Sequence, residues 1–172
     1  MDGVIVGTLT KDGDHGHLVT DSSFTDFRLR FQWKLSPGGN SGLYFHGGKG
    51  GARGMIGAQL EMDETFSGGL YSKATHPLEF IYQTKAEDAK KWYRPGDWND
   101  VVLIVDKNTV TNTQNGVTTM NVTSPNLGAK GQFGFQLHAT LDMRLWLRNI
   151  EWSEVPGTTS LPASGDKERG GL

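Results

Sequence analysis

The sequence predicts an all-β protein built as a two-sheet antiparallel sandwich or jelly roll, with at most one short helix. Three observations carry this prediction. About ten short segments have the residue patterns of strands, and helical periodicity is almost absent. The chain also contains 24 glycines in 172 residues. This is roughly twice the average share, and the glycines are distributed over many predicted turns instead of forming one tract.

The segment Phe27–Leu35 is the clearest strand. Its odd-numbered positions are all apolar and its even-numbered positions are all polar, which is the pattern of a strand with one buried and one solvated face. We therefore expect Phe31 and Trp33 in the core, together with Phe133 and Phe135 of a later strand.

Further elements follow along the chain. The continuous apolar run Val101–Val105 predicts a strand covered on both faces. Asn115 and Gly116, between two Thr- and Val-rich arms, predict a hairpin with a type I′ turn, in which both central residues have positive φ. The one helix candidate is Ala86–Trp92, which spans only about two turns. Other strands are expected at Gly3–Thr8, Gly42–Gly47, Gly57–Met62, Gly131–His138 and Met143–Trp152.

The chain fits a single domain over residues 1–155, followed by a Gly- and Pro-rich tail over residues 156–172 that is predicted to be disordered. No signal-peptide pattern precedes the first strand, so we expect a cytoplasmic location. No apolar run reaches the roughly 18 residues of a membrane span. Any association with a membrane would therefore go through other proteins or take place at the membrane surface.

Composition excludes several function classes. The 17 basic residues nearly balance the 19 acidic ones, the formal net charge is −2, and no basic stripe with interleaved aromatics is evident. Nucleic acid is therefore not an expected partner. The absence of cysteine excludes disulfides, thiolate metal sites and thiol nucleophiles. Because no metal-ligand spacing or phosphate-binding glycine loop is present, we expect neither a metal nor a cofactor.

Several short motifs stand in a recognisable order, namely DGVIVG, SPGGNSGLYF, GAQLEMD, GGLY, GDWND, the NGV hairpin and LWLRNIEW. In this order and spacing the chain resembles the 3-keto-disaccharide hydrolase domain family over residues 2–154. The resemblance implies a concanavalin A-like jelly roll of the lectin and glucanase type. It also implies an elimination on a 3-keto sugar, which needs a base beside an acidified C–H bond.

The chain departs from the family pattern where that chemistry would take place. The family's Glu-x-Gln reads Gln59-x-Glu61 here, which moves the carboxylate two residues along the same strand face. The loop before GGLY is short, and a frequent Asp-His-Gly reads Leu137-His138-Ala139. An additional N-terminal strand of the family is missing, so we expect an open sheet edge that offers a docking surface.

If the protein is an enzyme, its catalytic candidates are Glu61, Asp63, His46 and His138. The alternatives are structural. The two carboxylates could lie on a solvated strand face and in its following turn, and each histidine could be satisfied by its neighbours. Convergence of His46, His138 and Asp63 in space would reopen the question of a metal site.

The candidates for ligand or partner binding are Asn40, His46, Gln59, Trp92, Tyr93 and Arg94. Asn40 lies in the glycine-rich turn PGGNSG, whose simplest role is structural. Trp92 and Tyr93 lie in the polar segment KKWYRP, which has little periodicity. Aromatic side chains exposed in such a segment often bind sugars or proteins.

Two functions remain open. In the first, which we favour, the fold is kept while its reactive groups are lost. The protein is then a non-catalytic subunit that stabilises a larger complex through its open edge, the KKWYRP segment and its tail. The short chain is also similar to an extrinsic subunit of a bacterial photosynthetic reaction centre, on the cytoplasmic side of the membrane. In the second, it is a 3-keto-glycoside hydrolase or a carbohydrate-binding module on the same fold.

Overall fold

A computed structural model describes residues 3–50, 54–72 and 79–155. These residues contain twelve strands, one short α-helix and one 3₁₀ helix, Pro125–Leu127. In chain order the strands and the α-helix are β1 (Ile5–Leu9), β2 (Gly16–Val19), β3 (Phe27–Leu35), β4 (Ser41–Lys49), β5 (Met55–Met62), β6 (Leu70–Ser72), β7 (Glu79–Tyr82), α1 (Ala86–Ala89), β8 (Asn99–Asp106), β9 (Thr109–Gln114), β10 (Val117–Thr123), β11 (Gln132–Leu137) and β12 (Met143–Glu154).

The strands form two six-stranded antiparallel sheets. The first sheet has the order β1-β12-β3-β8-β9-β10, and the second has the order β2-β11-β4-β5-β6-β7. Strands that are adjacent in the sheets are often distant in the chain, as in the pairing of β3 with β12. The predicted all-β, two-sheet architecture is confirmed. None of the helical residues described forms a segment long and apolar enough to cross a bilayer.

The core lies between the inner faces of the two sheets. The five apolar residues of β3 all point inward and are at most 2% exposed, as the alternating pattern predicts. Phe31 meets Phe135 of β11 with ring centroids 5.2 Å apart, and Phe27 meets Phe133 at 4.7 Å. The predicted core positions Phe31, Trp33, Phe133 and Phe135 are therefore confirmed.

Two local predictions need correction. The run Val101–Val105 is not covered on both faces, because Val102 and Ile104 are only half-buried. The physical reason is that β8 lies in the first sheet with one face on the core, so its other face is only partly covered. The helix is also shorter than predicted and ends at Ala89.

The predicted hairpin forms between β9 and β10, and Asn115 and Gly116 have φ of 50° and 83°. The Asn115 side chain has a second role, since its Nδ2 donates to the Trp92 carbonyl at 2.6 Å. The turn thereby fixes the KKWYRP segment against the first sheet.

Close approach of backbones explains two of the glycines. A Cβ on Gly131 would lie 1.9 Å from the Gly47 nitrogen, so only glycine lets the segment before β11 pass β4 at this distance. A Cβ on Gly42 would lie 2.0 Å from Nε2 of Gln59. Gly42 therefore leaves the space through which the Gln59 side chain crosses β4.

One edge of the sandwich is apolar. Strands β1 and β2 are the edge strands on this side of the two sheets. Six of the eight large apolar residues that are exposed among the described residues belong to β1, β2 or β12 or directly precede β1: Val4, Ile5, Val6, Leu18, Ile150 and Trp152. A cavity of about 360 Å³ opens here and is lined by Ile5, Leu18, Leu137 and Leu147, among others. We call this surface the apolar edge.

Candidate functional site

The outer face of the second sheet is polar and yet buried at its centre. Ala58, Leu60 and Met62 of β5 point into the core, so the alternating residues Gln59 and Glu61 point outward. Their exposed fractions are nevertheless only 1% and 5%. Outward residues of a sandwich are usually solvated, so this burial marks the face as a candidate site.

A chain of polar side chains crosses this face from β5 to β11. Nε2 of Gln59 donates to Oε1 of Gln136 at 3.2 Å, and Nε2 of Gln136 donates to the Tyr44 hydroxyl at 3.4 Å. All three side chains are at most 1% exposed. We define Tyr44, Gln59, Glu61 and Gln136 as the polar face.

Oε1 of Gln59 is the atom of the polar face that lacks a hydrogen-bond partner among the described residues. This oxygen is also buried. An unsatisfied buried acceptor costs about 1–3 kcal/mol. A ligand that donates a hydrogen bond to this oxygen would recover that cost.

Three histidines border the polar face, and sequence analysis identified only one of them. His17 is opposite Gln136 in the β2–β11 register, and its ring lies 5.4 Å from that of Tyr44. The rings of His15 and His138 are 4.6 Å apart. The signal in the sequence was the HGH triplet of residues 15–17, which places both of its histidines on one strand face.

The hydrogen bonds fix the roles of two ring nitrogens. Nδ1 of His15 accepts the Ala139 backbone N–H at 3.1 Å, so its lone pair is engaged. Nδ1 of His138 donates to the Ala139 carbonyl at 2.8 Å. When the His138 ring is neutral, its Nε2 therefore carries a lone pair and can accept a proton or a hydroxyl hydrogen.

Asp63 follows β5 on the same parity as Glu61, but it has a structural role. Its Oδ1 accepts the backbone N–H groups of Thr65 and Phe66 at 2.8 and 2.6 Å, and its Oδ2 accepts Nδ2 of Asn40 at 2.9 Å. The expectation of a solvated turn is wrong, because Asp63 is only 5% exposed. Asn40, predicted as a turn residue or a ligand residue, holds this turn.

Burial raises the pKa of the Asp63 carboxyl above its ordinary value. The hydrogen bonds from Phe66 and Thr65 oppose this rise, as does the nearby His138, while Glu64 adds to it. The effect of burial is the largest of these.

His46 lies outside the polar face. It is 5% exposed, its Nδ1 lies 3.0 Å from the Gly128 carbonyl oxygen, and its Nε2 lies 2.6 Å from that of Thr25. Both ring nitrogens thus contact backbone oxygens of two loops, so the predicted catalytic or ligand-binding role has no free nitrogen to use. In the described part of the chain, no group of three or more His, Asp or Glu side chains could hold a metal ion.

The expected exposed aromatics of KKWYRP are not exposed. Trp92 is 8% exposed, and its Nε1 donates to the Ser67 carbonyl at 2.9 Å. The ring of Tyr93 stacks on that of Trp33 with centroids 5.5 Å apart, and burial raises the pKa of its hydroxyl. The prediction of a solvent-facing platform here is wrong.

Hydrogen bonds between the Asn99 side chain and the backbone explain why the KKWYRP segment folds inward. Asn99 accepts the Arg94 backbone N–H through Oδ1 at 2.9 Å and donates through Nδ2 to the carbonyls of Arg94 and Asp97 at 3.0 Å. This clamp turns the chain so that the preceding aromatics face the core. Arg94 itself is exposed.

The raised pKa of Asp63 predicts a pH dependence of stability. A carboxyl whose pKa is raised by folding stabilises the fold below its ordinary pKa near 4, and this contribution is lost as the pH rises through the raised value. In Asp63→Asn this loss is absent. We expect the free energy of unfolding of the wild type to fall relative to that of the variant from about pH 4 upward.

Urea unfolding at a series of pH values measures this difference. Asp12→Asn, at an exposed turn residue after β1, is the matched control and should follow the wild type at each pH. Parallel curves for the wild type and Asp63→Asn would contradict the prediction.

Comparison with known proteins places this geometry in a family. The model of the 3-keto-alpha-glucoside-1,2-lyase-like domain matches residues 1–153. A curated 3-keto-disaccharide hydrolase of Bacteroides thetaiotaomicron is 44% identical over 39 residues, which is 23% of this chain and 13% of that protein. The match thus spans about an eighth of the length of this relative.

Solved structures support the fold. A candidate glycosyl hydrolase of Parabacteroides distasonis superposes with a TM-score of 0.65 and 17% identity, over 90% of this chain and 88% of the other. The carbohydrate-binding module CBM66 of Bacillus subtilis superposes with a TM-score of 0.64 and 12% identity, over 90% and 97% of the two chains.

These relatives give no support to the reaction-centre prediction. At such identities the solved structures show the fold alone. The family match, in contrast, covers residues 1–153 and so most of the chain. The chain therefore belongs to the 3-keto-alpha-glucoside-1,2-lyase-like domain family.

Proposed function

We propose that this protein binds a carbohydrate on the polar face of its second sheet. The observation that carries the proposal is the buried, unpartnered Oε1 of Gln59, which lies within a chain of amide and phenol groups. Once the side chains that cover it move aside, a sugar hydroxyl can donate to this buried oxygen and accept from a neighbouring group. The carboxylate of Glu61 adds a second acceptor on the same face.

Aromatic side chains flank the polar face on the side of β6. Tyr71 is opposite Gln59 in the β5–β6 register, and its ring centroid lies 3.7 Å from that of Phe80. Both residues are half-buried. Partly open aromatic surface beside hydrogen-bonding groups suits the mixed apolar and polar surface of a sugar ring.

The family and the partial match to a 3-keto-disaccharide hydrolase support a 3-keto sugar as the ligand. We expect Gln59→Leu to weaken binding of 3-keto-maltose by about tenfold or more, since it removes Oε1, the acceptor of one hydrogen bond from the sugar, at similar side-chain volume. Titration calorimetry measures this affinity.

Gln83→Leu makes the same substitution at an exposed position after β7 and should bind like the wild type. Thermal unfolding of all three proteins shows whether the fold is retained. Equal affinity of the wild type and a folded Gln59→Leu would overturn the assignment of the polar face.

The same face has the groups for an elimination. In a 3-keto glycoside the ketone acidifies the hydrogen on C2. A base removes this proton, the electron pair forms the C1–C2 double bond, the C1–O glycosidic bond breaks, and the leaving oxygen takes a proton. We propose that the Glu61 carboxylate is this base and returns the proton to the leaving oxygen.

Glu61→Gln tests the catalytic part of the proposal separately from binding. We expect the variant to bind 3-keto-maltose but to release glucose at least about a hundredfold more slowly than the wild type, because general base catalysis contributes about that much. NMR of the products measures both rates. Equal rates would exclude Glu61 as the base, and binding without turnover by the wild type would leave a carbohydrate-binding module.

A second candidate is the non-catalytic subunit favoured by the sequence. The apolar edge supports it, because monomeric proteins rarely expose clusters of large apolar side chains, and Ile5, Val6 and Leu18 line one cavity there. The narrower role in a photosynthetic reaction centre, on the cytoplasmic side of the membrane, rests only on the similarity of the short chain to an extrinsic subunit of such a complex.

Val6→Asp tests this candidate, since Val6 is 52% exposed at the apolar edge. We expect the wild type to migrate in a complex much larger than the monomer on native electrophoresis of cell extract, and the variant to be released from it. Val117→Asp, at an exposed valine on the hairpin, should remain bound. Migration of the wild type as a free monomer would overturn this role.

A further inference from the structure

A row of cations and indoles crosses the outer face of the first sheet. Sequence analysis found no such stripe, and this was wrong because the members of the row come from three separate segments of the chain. Because Leu145 and Leu147 point into the core, the alternating residues Arg144, Trp146 and Arg148 of β12 point outward. Lys34 of β3 is opposite Trp146 in register, and Trp98 precedes β8. We call Lys34, Trp98, Arg144, Trp146 and Arg148 the cationic row.

The indoles hold the cations in place. The Arg148 guanidinium carbon lies 3.9 Å from the ring centre of Trp98, and Nζ of Lys34 lies 4.7 Å from that of Trp146 and 5.3 Å from that of Trp98. The Arg144 guanidinium lies 5.7 Å from Trp146. Such contacts order long side chains before any ligand arrives.

The charges of the row have no salt-bridge partners within the described residues. The ion pairs found there are Arg30 with Asp100 and Lys91 with Asp88. Arg148 donates from Nε to Oε1 of Gln32 at 2.8 Å, which orients its two terminal nitrogens without neutralising them. In a chain with a formal net charge of −2, three uncompensated cations in one row favour an anionic ligand.

A cavity of about 340 Å³ lies at the Arg144 end of the row. It is lined by Thr8, Thr10, Ser36, Asp142, Arg144 and Trp146, among others. Its volume is within the range of small-ligand sites. The hydroxyls suit the hydroxyl groups of a sugar ring and Arg144 suits a negative charge, whereas the Asp142 carboxylate opposes an anion beside it and can accept only from ligand hydroxyls. Oδ1 of Asp142 accepts the Lys11 backbone N–H, so the carboxylate has a fixed orientation.

We propose that the cationic row binds an acidic polysaccharide that carries carboxylates, with one uronic acid residue in the cavity and its neighbours along β12. Arginine forks bind planar carboxylates through paired hydrogen bonds, and the cavity hydroxyls serve the sugar ring. The site is on the opposite sheet from the polar face and is independent of the function proposed there.

Two other polyanions fit less well. Single-stranded nucleic acid binds by stacking bases on open aromatic faces, and here the cations cover the indole faces. An anionic membrane would use the charges but leaves the hydroxyl-lined cavity without a role. Both are included in the test as competing ligands.

Titration calorimetry of the full chain at low salt, with oligogalacturonate as the probe, tests the proposal. We expect binding that weakens as salt rises, whereas any binding of a maltooligosaccharide of the same length should not depend on Arg144 or Arg148. Arg144→Gln and Arg148→Gln should each weaken binding by about tenfold or more, because each removes a charge-assisted hydrogen bond to the ligand. Gln59→Leu should leave this binding unchanged.

Arg28→Gln is the matched control, because Arg28 is exposed on the same sheet outside the row. It should change the affinity less than about twofold. An effect of Arg28→Gln equal to that of Arg144→Gln would overturn the proposal, as would an equal effect of Arg144→Gln on binding of the neutral glycan. Tighter binding of single-stranded DNA or of anionic phospholipid vesicles would overturn it too. Arg144 is exposed, so its variant should fold even if Arg148→Gln does not.

Discussion

The structure depends on the packing of two apolar inner sheet faces against each other. Each inward side chain fixes the direction of its neighbours in the strand, because successive residues of a strand point to opposite faces. Leu60 and Met62 enter the core, and Glu61 is therefore outside. Leu145 and Leu147 enter from the other sheet, so Trp146 is outside as well. A register shift of one residue in either strand would turn its inward side chains outward and bring its outward side chains into the core.

The two outer faces created in this way differ in kind. The polar face of the second sheet is buried and is held together by hydrogen bonds between uncharged groups. The cationic row of the first sheet is partly solvated and is ordered by contacts between cations and indoles. A buried amide selects a ligand by hydrogen-bond geometry, whereas the charges of a solvated row select mainly by sign. The two proposed sites are therefore expected to differ in selectivity.

Local pattern predicted the fold well and the site less well. The alternation of β3 and the Asn115–Gly116 turn depend on near neighbours in the chain, and both are observed. Gln59 and Glu61 were correctly placed on one strand face. The burial of Trp92 was missed because it depends on Ser67, 25 positions away in the chain, and on the clamp that Asn99 closes. The local residue pattern of the segment cannot predict a contact with a residue so distant in the chain.

The sequence alone determined the all-β class, the inward residues and the family, because these depend on residue order and on spacing along the chain. Tertiary structure decided which outward residues meet. Gln59 reaches Gln136 only because β4 passes between them with a glycine at position 42. Lys34 lies between Trp98 and Trp146 only because β3 pairs with β12. The physical reason is that strands adjacent in a sandwich are often distant in the chain, so side-chain neighbours across strands are set by sheet topology.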